Sequence, residues 1–219
     1  MVTGDNHRFR GMRKRLVEEI RNKGIKDASI LEAIGKIPRH LFLDNAFAEW
    51  AYKDVAFSID AEQTISQPYT VAFQTELLDI KNGEKVMEIG TGSGYQAAVL
   101  AELGSKVYSI ERHEILFKKS TLLLKKLGYY SVLTFHGDGY LGLSRHAPFD
   151  KILITAAAPE IPGTLIDQLK IGGYLVVPYG AGETQKMLRI LKCEEGRLEK
   201  ETFGNFRFVP MLKGIGKKT

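Results

Sequence analysis

The stretch Val86-Met87-Glu88-Ile89-Gly90-Thr91-Gly92-Ser93-Gly94 is an apolar run that enters a G-x-G-x-G spacing and then a helical pattern. No other segment restricts the fold as much. A strand that bends at once into a helix needs glycine where the backbone takes positive φ and where a ligand approaches the main chain. A dinucleotide fingerprint would require its third glycine at position 95, which is Tyr95, so the spacing points away from a pyrophosphate ligand. The next apolar run ends at Glu111, whose carboxylate is placed to accept hydrogen bonds from both hydroxyls of a ribose. Together these features predict a nucleoside-bearing ligand.

The rest of the chain supports a fold built around that turn. Strands are predicted over 85–89, 106–110, 131–135, 149–155 and 173–177, with helices over 95–103, 113–127 and 161–169. Such alternation implies a doubly wound α/β fold, a parallel sheet with helices on both faces. The run 149–155 is the most apolar and belongs at the sheet's centre. Beyond residue 187 the helices stop, and 187–193, 198–202 and 206–209 read as consecutive antiparallel strands. Ahead of the alternation, a helix over 8–23 stops near Gly24, and Asp27 caps a second helix carrying Ile30, Leu31 and Ile34 that Pro38 ends. Residues 39–68 have weak periodicity, a length of irregular chain that is often functional. Helical spacing returns over 71–78.

Composition narrows the class. With 219 residues, 44% hydrophobic and 26% charged, the chain suits one globular domain with a real core. No apolar run approaches the ~20 residues that span a bilayer, and no membrane association is expected. The single cysteine, Cys193, allows no intrachain disulfide and suits the cytoplasm. The net charge of +5 raises the question of nucleic acid. The excess gathers at the ends, in Arg8, Arg10, Arg13, Lys14, Arg15, Arg21, Lys23 and Lys26, then Lys213, Lys217 and Lys218. The first group alternates with Met12, Leu16, Val17 and Ile20 as in an amphipathic helix, and no aromatic platform accompanies it. A solvated helix face is expected, and no nucleic-acid partner.

Other residues are read in the same way. Asp138 in Gly137-Asp138-Gly139 follows the third parallel strand, beside where an adenine would lie at the switch point. Ser93 lies between glycines and does not make the G-x-S-x-G elbow of a hydrolase. His7, His40, His113, His136 and His146 show no ligand spacing, so no metal is expected. Thr64-Ile65-Ser66-Gln67-Pro68 reads as a hydroxyl-rich turn before a helix, and a helix N-cap is its ordinary interpretation.

Context changes that interpretation. Gln63-Thr64-Ile65-Ser66-Gln67-Pro68-Tyr69, Thr75-Glu76-Leu77-Leu78 and the glycine loop continuing Tyr95-Gln96-Ala97-Ala98 resemble the protein-L-isoaspartate O-methyltransferase family. Pro38-Arg39-His40, Ser109-Ile110-Glu111-Arg112, Gly137-Asp138-Gly139, Ala147-Pro148-Phe149-Asp150, Thr155-Ala156-Ala157-Ala158-Pro159 and Val209-Pro210 extend the likeness over nearly the whole chain. The resemblance implies the Rossmann-like fold of S-adenosylmethionine-dependent methyltransferases, mostly parallel, with antiparallel C-terminal strands and an N-terminal helical extension. It implies one methyltransferase domain over 1–219. Residues 1–80 would be the extension and acceptor segment, and 81–219 the cofactor-binding core.

It further implies that Ser66 is the active-site serine and that Gln63, Thr64, Ile65 and Ser66 line the cofactor cavity. Glu88, Gly90 and Gly92 would serve the methionine end, Glu111 the ribose, and Asp138 with Gly139 the adenine, with Thr91 and Arg112 also binding the cofactor. Ser66 and Ala156, Ala157 and Ala158 would border the acceptor peptide. Two stretches depart from the family pattern: Phe57-Ser58-Ile59-Asp60, and Met211-Leu212-Lys213-Gly214 after Pro210.

The implied reaction methylates the α-carboxylate of isoaspartyl residues in damaged proteins and peptides, leaving S-adenosylhomocysteine. The resulting ester collapses to a succinimide. An α-carboxyl titrates near ~3.5, so it is an anion at neutral pH and needs no general base. That accounts for the lack of a His/Asp pair beside Ser66. A methyltransferase for RNA or small molecules would share the glycine loop without needing the Ser66 segment, and an inactive cofactor-binding module would retain both.

Overall fold

The computed structural model describes residues 5–216, so Lys217 and Lys218 of the basic tail lie outside the described residues. The chain opens with α1 (His7–Asn22) and α2 (Ala28–Lys36), followed by 3-10 turns at Arg39–Phe42 and Asn45–Trp50. A short hairpin, β1 (Phe57–Ser58) and β2 (Thr64–Ile65), leads into α3 (Pro68–Leu78). The alternating core follows as β3 (Lys85–Ile89), α4 (Tyr95–Glu102), β4 (Lys106–Glu111), α5 (Glu114–Lys126), β5 (Val132–His136) and β6 (Phe149–Ile154). The chain then forms α6 (Gly163–Gln168), β7 (Leu169–Tyr179), β8 (Gln185–Lys192) and β9 (Leu198–Phe206). Among the described residues, no helix is long and apolar enough to cross a membrane.

The helix signals act as expected. Asp27 accepts from the amides of Ser29 and Ile30 at the start of α2. Gly24, at φ 108°, turns the chain after α1. In α1 the apolar stripe buries Leu16 and Ile20, while Arg8, Arg10, Lys14, Arg15 and Arg21 face solvent. Arg13 departs from the expected solvated face, being buried with its guanidinium bonded to Asp5, Gly35 O and the Tyr52 hydroxyl.

Seven strands form one sheet in the order β5-β4-β3-β6-β7-β8-β9. The first five are parallel, and β8 and β9 add antiparallel edges. The apolar run at β6 holds the central place, as predicted. Period-2 alternation divides the core into two layers. Val86, Val107, Leu153 and Val176 join α1–α4 in one cluster, whereas Met87, Ile89, Ile152, Ile154, Leu175 and Val177 face the other.

Two tail expectations are corrected. β7 begins at Leu169, four residues before the predicted 173, because an irregularity between Phe149 and Lys151 of β6 lets the strand pair earlier. The predicted strand 198–202 runs on to Phe206 as β9, which stays paired with β8 through a register shift between Lys186 and Leu188, and the strand predicted over 206–209 does not form beyond Phe206. Past Phe206 the chain leaves the sheet, and Pro210 forms a bridge to Ala157.

The order places the site. After β3 the chain moves outward to β4 and β5, then returns to the other side of β3 as β6. A crevice therefore opens at the carboxyl ends of β3, β4 and β6, where ligands bind in open α/β sheets.

Candidate active site

The glycine loop leaves β3 at that crevice. Gly90, Gly92 and Gly94 take φ of 101°, 52° and 88°, values that favour glycine. Gly90 and Thr91 both donate their amides to Ile110 O, at 2.8 and 3.2 Å, which ties the loop to the end of β4. Across the crevice, the Thr155 hydroxyl donates to Gly90 O at 2.9 Å, and a Cβ at Gly90 would lie 2.5 Å from Thr155 Oγ1. The backbone bend is thus enforced from two sides.

One cavity, about 810 Å³ including its mouth, joins this loop to the Ser66 segment. Gln63, Thr64, Ile65 and Ser66 line one wall, and Gly90, Thr91, Gly92, Glu111, Arg112 and Gly139 line another, with Ala156 nearby. The carboxylate of Glu111 accepts from the amides of Gly92 and His113, each at 2.8 Å. A carboxylate offers about four acceptor sites, so two remain for a diol. Gly139 sits so close to Ile89 that a Cβ would lie 2.3 Å from its Cγ2. The position admits only glycine without a shift of the wall.

Four expected residues do not line the cavity. Glu88 is wholly buried beneath the loop. Ser109 donates to its Oε2, while Thr91 and Ser109 are joined hydroxyl to hydroxyl at 2.6 Å. Because Ser109 spends its proton on Glu88, Thr91 donates to Ser109, so Glu88 reaches the cavity wall only through this relay. Burial, with smaller opposing help from the Ser109 hydrogen bond, pushes the Glu88 carboxyl up to about 8. Asp138 is also engaged elsewhere. Its Oδ1 accepts from Tyr140 N at 2.9 Å and its Oδ2 from Gly214 N at 2.7 Å. Ala157 and Ala158 lie behind the wall, their backbones bridged to Pro210 and Tyr179.

The two divergent stretches both close the site. Phe57 and Ser58 pair with Ile65 and Thr64, and Ile59 N donates to Gln63 O at 2.8 Å. This hairpin lays Ile59 over Gly92, with its Cδ1 3.7 Å from where a Cβ would stand. Asp60 is salt-bridged to Lys119 of α5 at 2.7 Å. At the other side the C-terminal segment crosses the crevice as a strap. Met211 N donates to Ala157 O at 2.8 Å, Arg112 Nε to Gly214 O at 3.1 Å, and Gly216 N to Arg112 O at 2.9 Å. Val209, Met211 and Leu212 thereby become cavity wall. Sequence reasoning missed them because the strap is held largely through its backbone, and an amide or carbonyl has no sequence signature.

Gln96 was also missed. It lines the cavity at 8% exposure, and its Oε1 has no hydrogen-bond partner among the described residues. The amide orientation is determined: the Thr75 hydroxyl gives its proton to Val71 O at 2.7 Å, so it accepts from Gln96 Nε2 at 3.0 Å. An acceptor oxygen is left over, which fits a ligand carrying an N–H donor. Glycine cradle, diol acceptor and unpartnered acceptor all fit an amino-acid-bearing nucleoside such as S-adenosylmethionine.

Comparison with known proteins agrees. The family model described as protein-L-isoaspartate(D-aspartate) O-methyltransferase matches residues 11–216. A protein-L-isoaspartate O-methyltransferase from Flavobacterium psychrophilum is 57% identical over 209 residues, covering 95% of this chain and 98% of that protein. One from Christiangramia forsetii is 55% identical with the same coverage. A solved protein-L-isoaspartate O-methyltransferase superposes with a TM-score of 0.83 at 29% identity, covering 90% of this chain and 65% of that longer one. A beta-aspartate methyltransferase structure from Plasmodium falciparum, in complex with S-adenosyl-L-homocysteine, gives 0.79 at 25% identity, covering 92% and 98%.

Proposed function

The chain belongs to the protein-L-isoaspartate(D-aspartate) O-methyltransferase family, and we propose that its one shared cavity brings Ser66 to bear on an isoaspartyl carboxylate. The enzyme transfers a methyl group from S-adenosylmethionine to L-isoaspartyl residues, a protein-repair reaction. The observation that carries the assignment of parts is the meeting of the Ser66 segment with the glycine loop in a single cavity.

When bound, S-adenosylmethionine supplies a methyl group on a cationic sulfur that leaves as a neutral thioether. Gly90, Thr91 and Gly92 form the backbone cradle for it, Glu111 takes the ribose, and Gly139 leaves room beside the adenine. Gln96 Oε1, left without a partner, would accept an N–H of the methionine end. Glu88 acts from behind, through Ser109 and Thr91, and Asp138 acts through the strap it holds. Ser66 donates its hydroxyl to one oxygen of the acceptor carboxylate and so aims the other. Because that carboxylate is already ionised, no residue has to remove a proton. The rate advantage then comes from orientation within a closed site, where well-aligned groups reach effective molarities of ~10⁵ M or more. Ala156, on the wall, borders the acceptor, whose partners are isoaspartyl-containing proteins and peptides. A single cysteine, Cys193, supports a cytoplasmic setting.

Paired peptides that differ only in an isoaspartyl or aspartyl linkage, offered with labelled S-adenosylmethionine, test the assignment. Label is expected on the isoaspartyl peptide alone, and equal labelling of the two would refute it.

A further inference from the structure

The helix that follows Ser66 is capped by a residue from far upstream. The N-cap position of α3 is Gln67, whose own side chain makes no capping bond, and Pro68 occupies the first turn. Ser66 stands one residue before the cap. The orphan amide of Tyr69 is instead taken by Asp54, whose Oδ1 accepts it at 2.7 Å. The other oxygen, Oδ2, accepts from Gln67 Nε2 at 2.9 Å and from Lys23 Nζ at 2.6 Å. The Asp54 side chain is only 2% exposed, and these three donors are its hydrogen-bond partners, with the buried Arg39 guanidinium near enough to act on its charge. Its charge also sits at the positive end of α3, where an anion is favoured.

A serine before a helix is normally recruited as a cap, with its hydroxyl turned onto the first-turn amides. Here a carboxylate already holds that position. The Ser66 hydroxyl is free of that duty, and the two residues after it are held from both sides of the Asp54 carboxylate. Lys23, in turn, closes α1, so the first helix is tied to the same anchor.

We propose that Asp54 is a positioning residue for the methyl transfer: it caps α3 in place of Ser66 and fixes the 66–69 turn so that the serine hydroxyl faces the acceptor. This rests on the role of Ser66 given above. Asp54→Asn keeps an acceptor for Tyr69 but turns an NH₂ group toward Gln67 and Lys23, which are donors themselves. The turn then relaxes, and Ser66 is released to cap the helix.

The test is a double-mutant cycle on kcat with an isoaspartyl peptide. Asp54→Asn is expected to lower kcat by about 10- to 100-fold, the cost of a small misplacement of a catalytic group. In a Ser66→Ala background the same change is expected to have almost no further effect. Affinity for S-adenosylhomocysteine stays near that of the unaltered enzyme, and the Tyr69 amide exchanges its hydrogen faster. An equal loss of kcat in both backgrounds would overturn the proposal while leaving Ser66 in the mechanism. Full turnover by Ser66→Ala alone would remove Ser66 itself, a separate result. Should Asp54→Asn fail to fold, Gln67→Ala removes one of the same bonds without stranding a charge. It is expected to give a smaller loss that also vanishes in the Ser66→Ala background, and a loss that persists there counts against the proposal.

Discussion

Glu88 shows how a residue in the best-recognised motif can act without touching a ligand. Its carboxyl is enclosed, with Oε1 lacking a partner among the described residues. Burial therefore favours the neutral form, with a pKa of about 8 against 4.5 in the unfolded chain. The folded state then holds a proton that the unfolded state has released between those values. Since the folded form binds more protons there, stability falls as pH rises from about 4.5 to about 8. Glu88→Gln, a neutral mimic that keeps an acceptor for Ser109, removes that slope. The expected outcome is a melting temperature close to that of the parent at pH 5 and higher than the parent's at pH 8.5, read by thermal denaturation at each pH. Equal pH slopes for the two proteins would show that Glu88 is ionised in the fold.

At the scale of elements, the site is a crevice between β3, β4 and β6 with two covers, the β1–β2 hairpin and the C-terminal strap. The crevice was legible in the sequence. G-x-G-x-G after an apolar run, Glu111 at the next strand's end and the strand–helix alternation each reflect a local rule of turn chemistry or periodicity. The covers were not. Residues 39–68 carry little periodicity because they are built from 3-10 turns and a two-residue hairpin. Asp54 looks like an ordinary loop aspartate until the fold brings it to Tyr69, 15 residues away.

The strap shows in the sequence only as a departure from the family pattern after Pro210, and Asp138 reads from its strand position as a neighbour of the adenine. Its Oδ2 grips Gly214 N, so its contribution to cofactor retention is expected to run through the strap. Hydrogen bonds to a charged group are worth about 1.5–3 kcal/mol, or roughly 10- to 100-fold in an equilibrium constant. Asp138→Ala is therefore expected to raise the dissociation constant for S-adenosylhomocysteine about tenfold or more, mainly through faster release, as measured by calorimetry and stopped flow. Deleting residues 212–219 should raise it comparably, and the two changes combined should do little more than either. Additive effects would instead put the Asp138 carboxylate on the ligand directly.

For the molecule as a whole, the question is whether residues 1–80 form an appendage or part of the core. The sequence boundary near residue 80 is real as a change of rhythm, from irregular helices to strand–helix alternation. Packing does not respect it. Ile20, Ile34, Ile37 and Leu78 are wholly buried in the same cluster as Val86, Val107, Val176 and Met187 of the sheet. Gln74 of α3 donates to Ile154 O at 3.1 Å, a buried bond to the central strand. Apolar side chains buried in this way contribute about 1.5–3 kcal/mol each, so exposing these four alone would cost about 6–12 kcal/mol, as much as a typical domain's whole net stability of ~5–15 kcal/mol. Extension and sheet should unfold together. The only tryptophan, Trp50, lies in the extension, whereas the far-ultraviolet dichroism reports helices on both sides of residue 80, α1–α3 before it and α4–α6 after it. In a denaturant titration, Trp50 fluorescence and far-ultraviolet dichroism are expected to give coincident transitions with one midpoint and one slope. An earlier Trp50 transition would mean that 1–80 opens as a unit of its own. With it, the anchor from Lys23 through Asp54 to the Ser66 turn would be lost before the cofactor core yields.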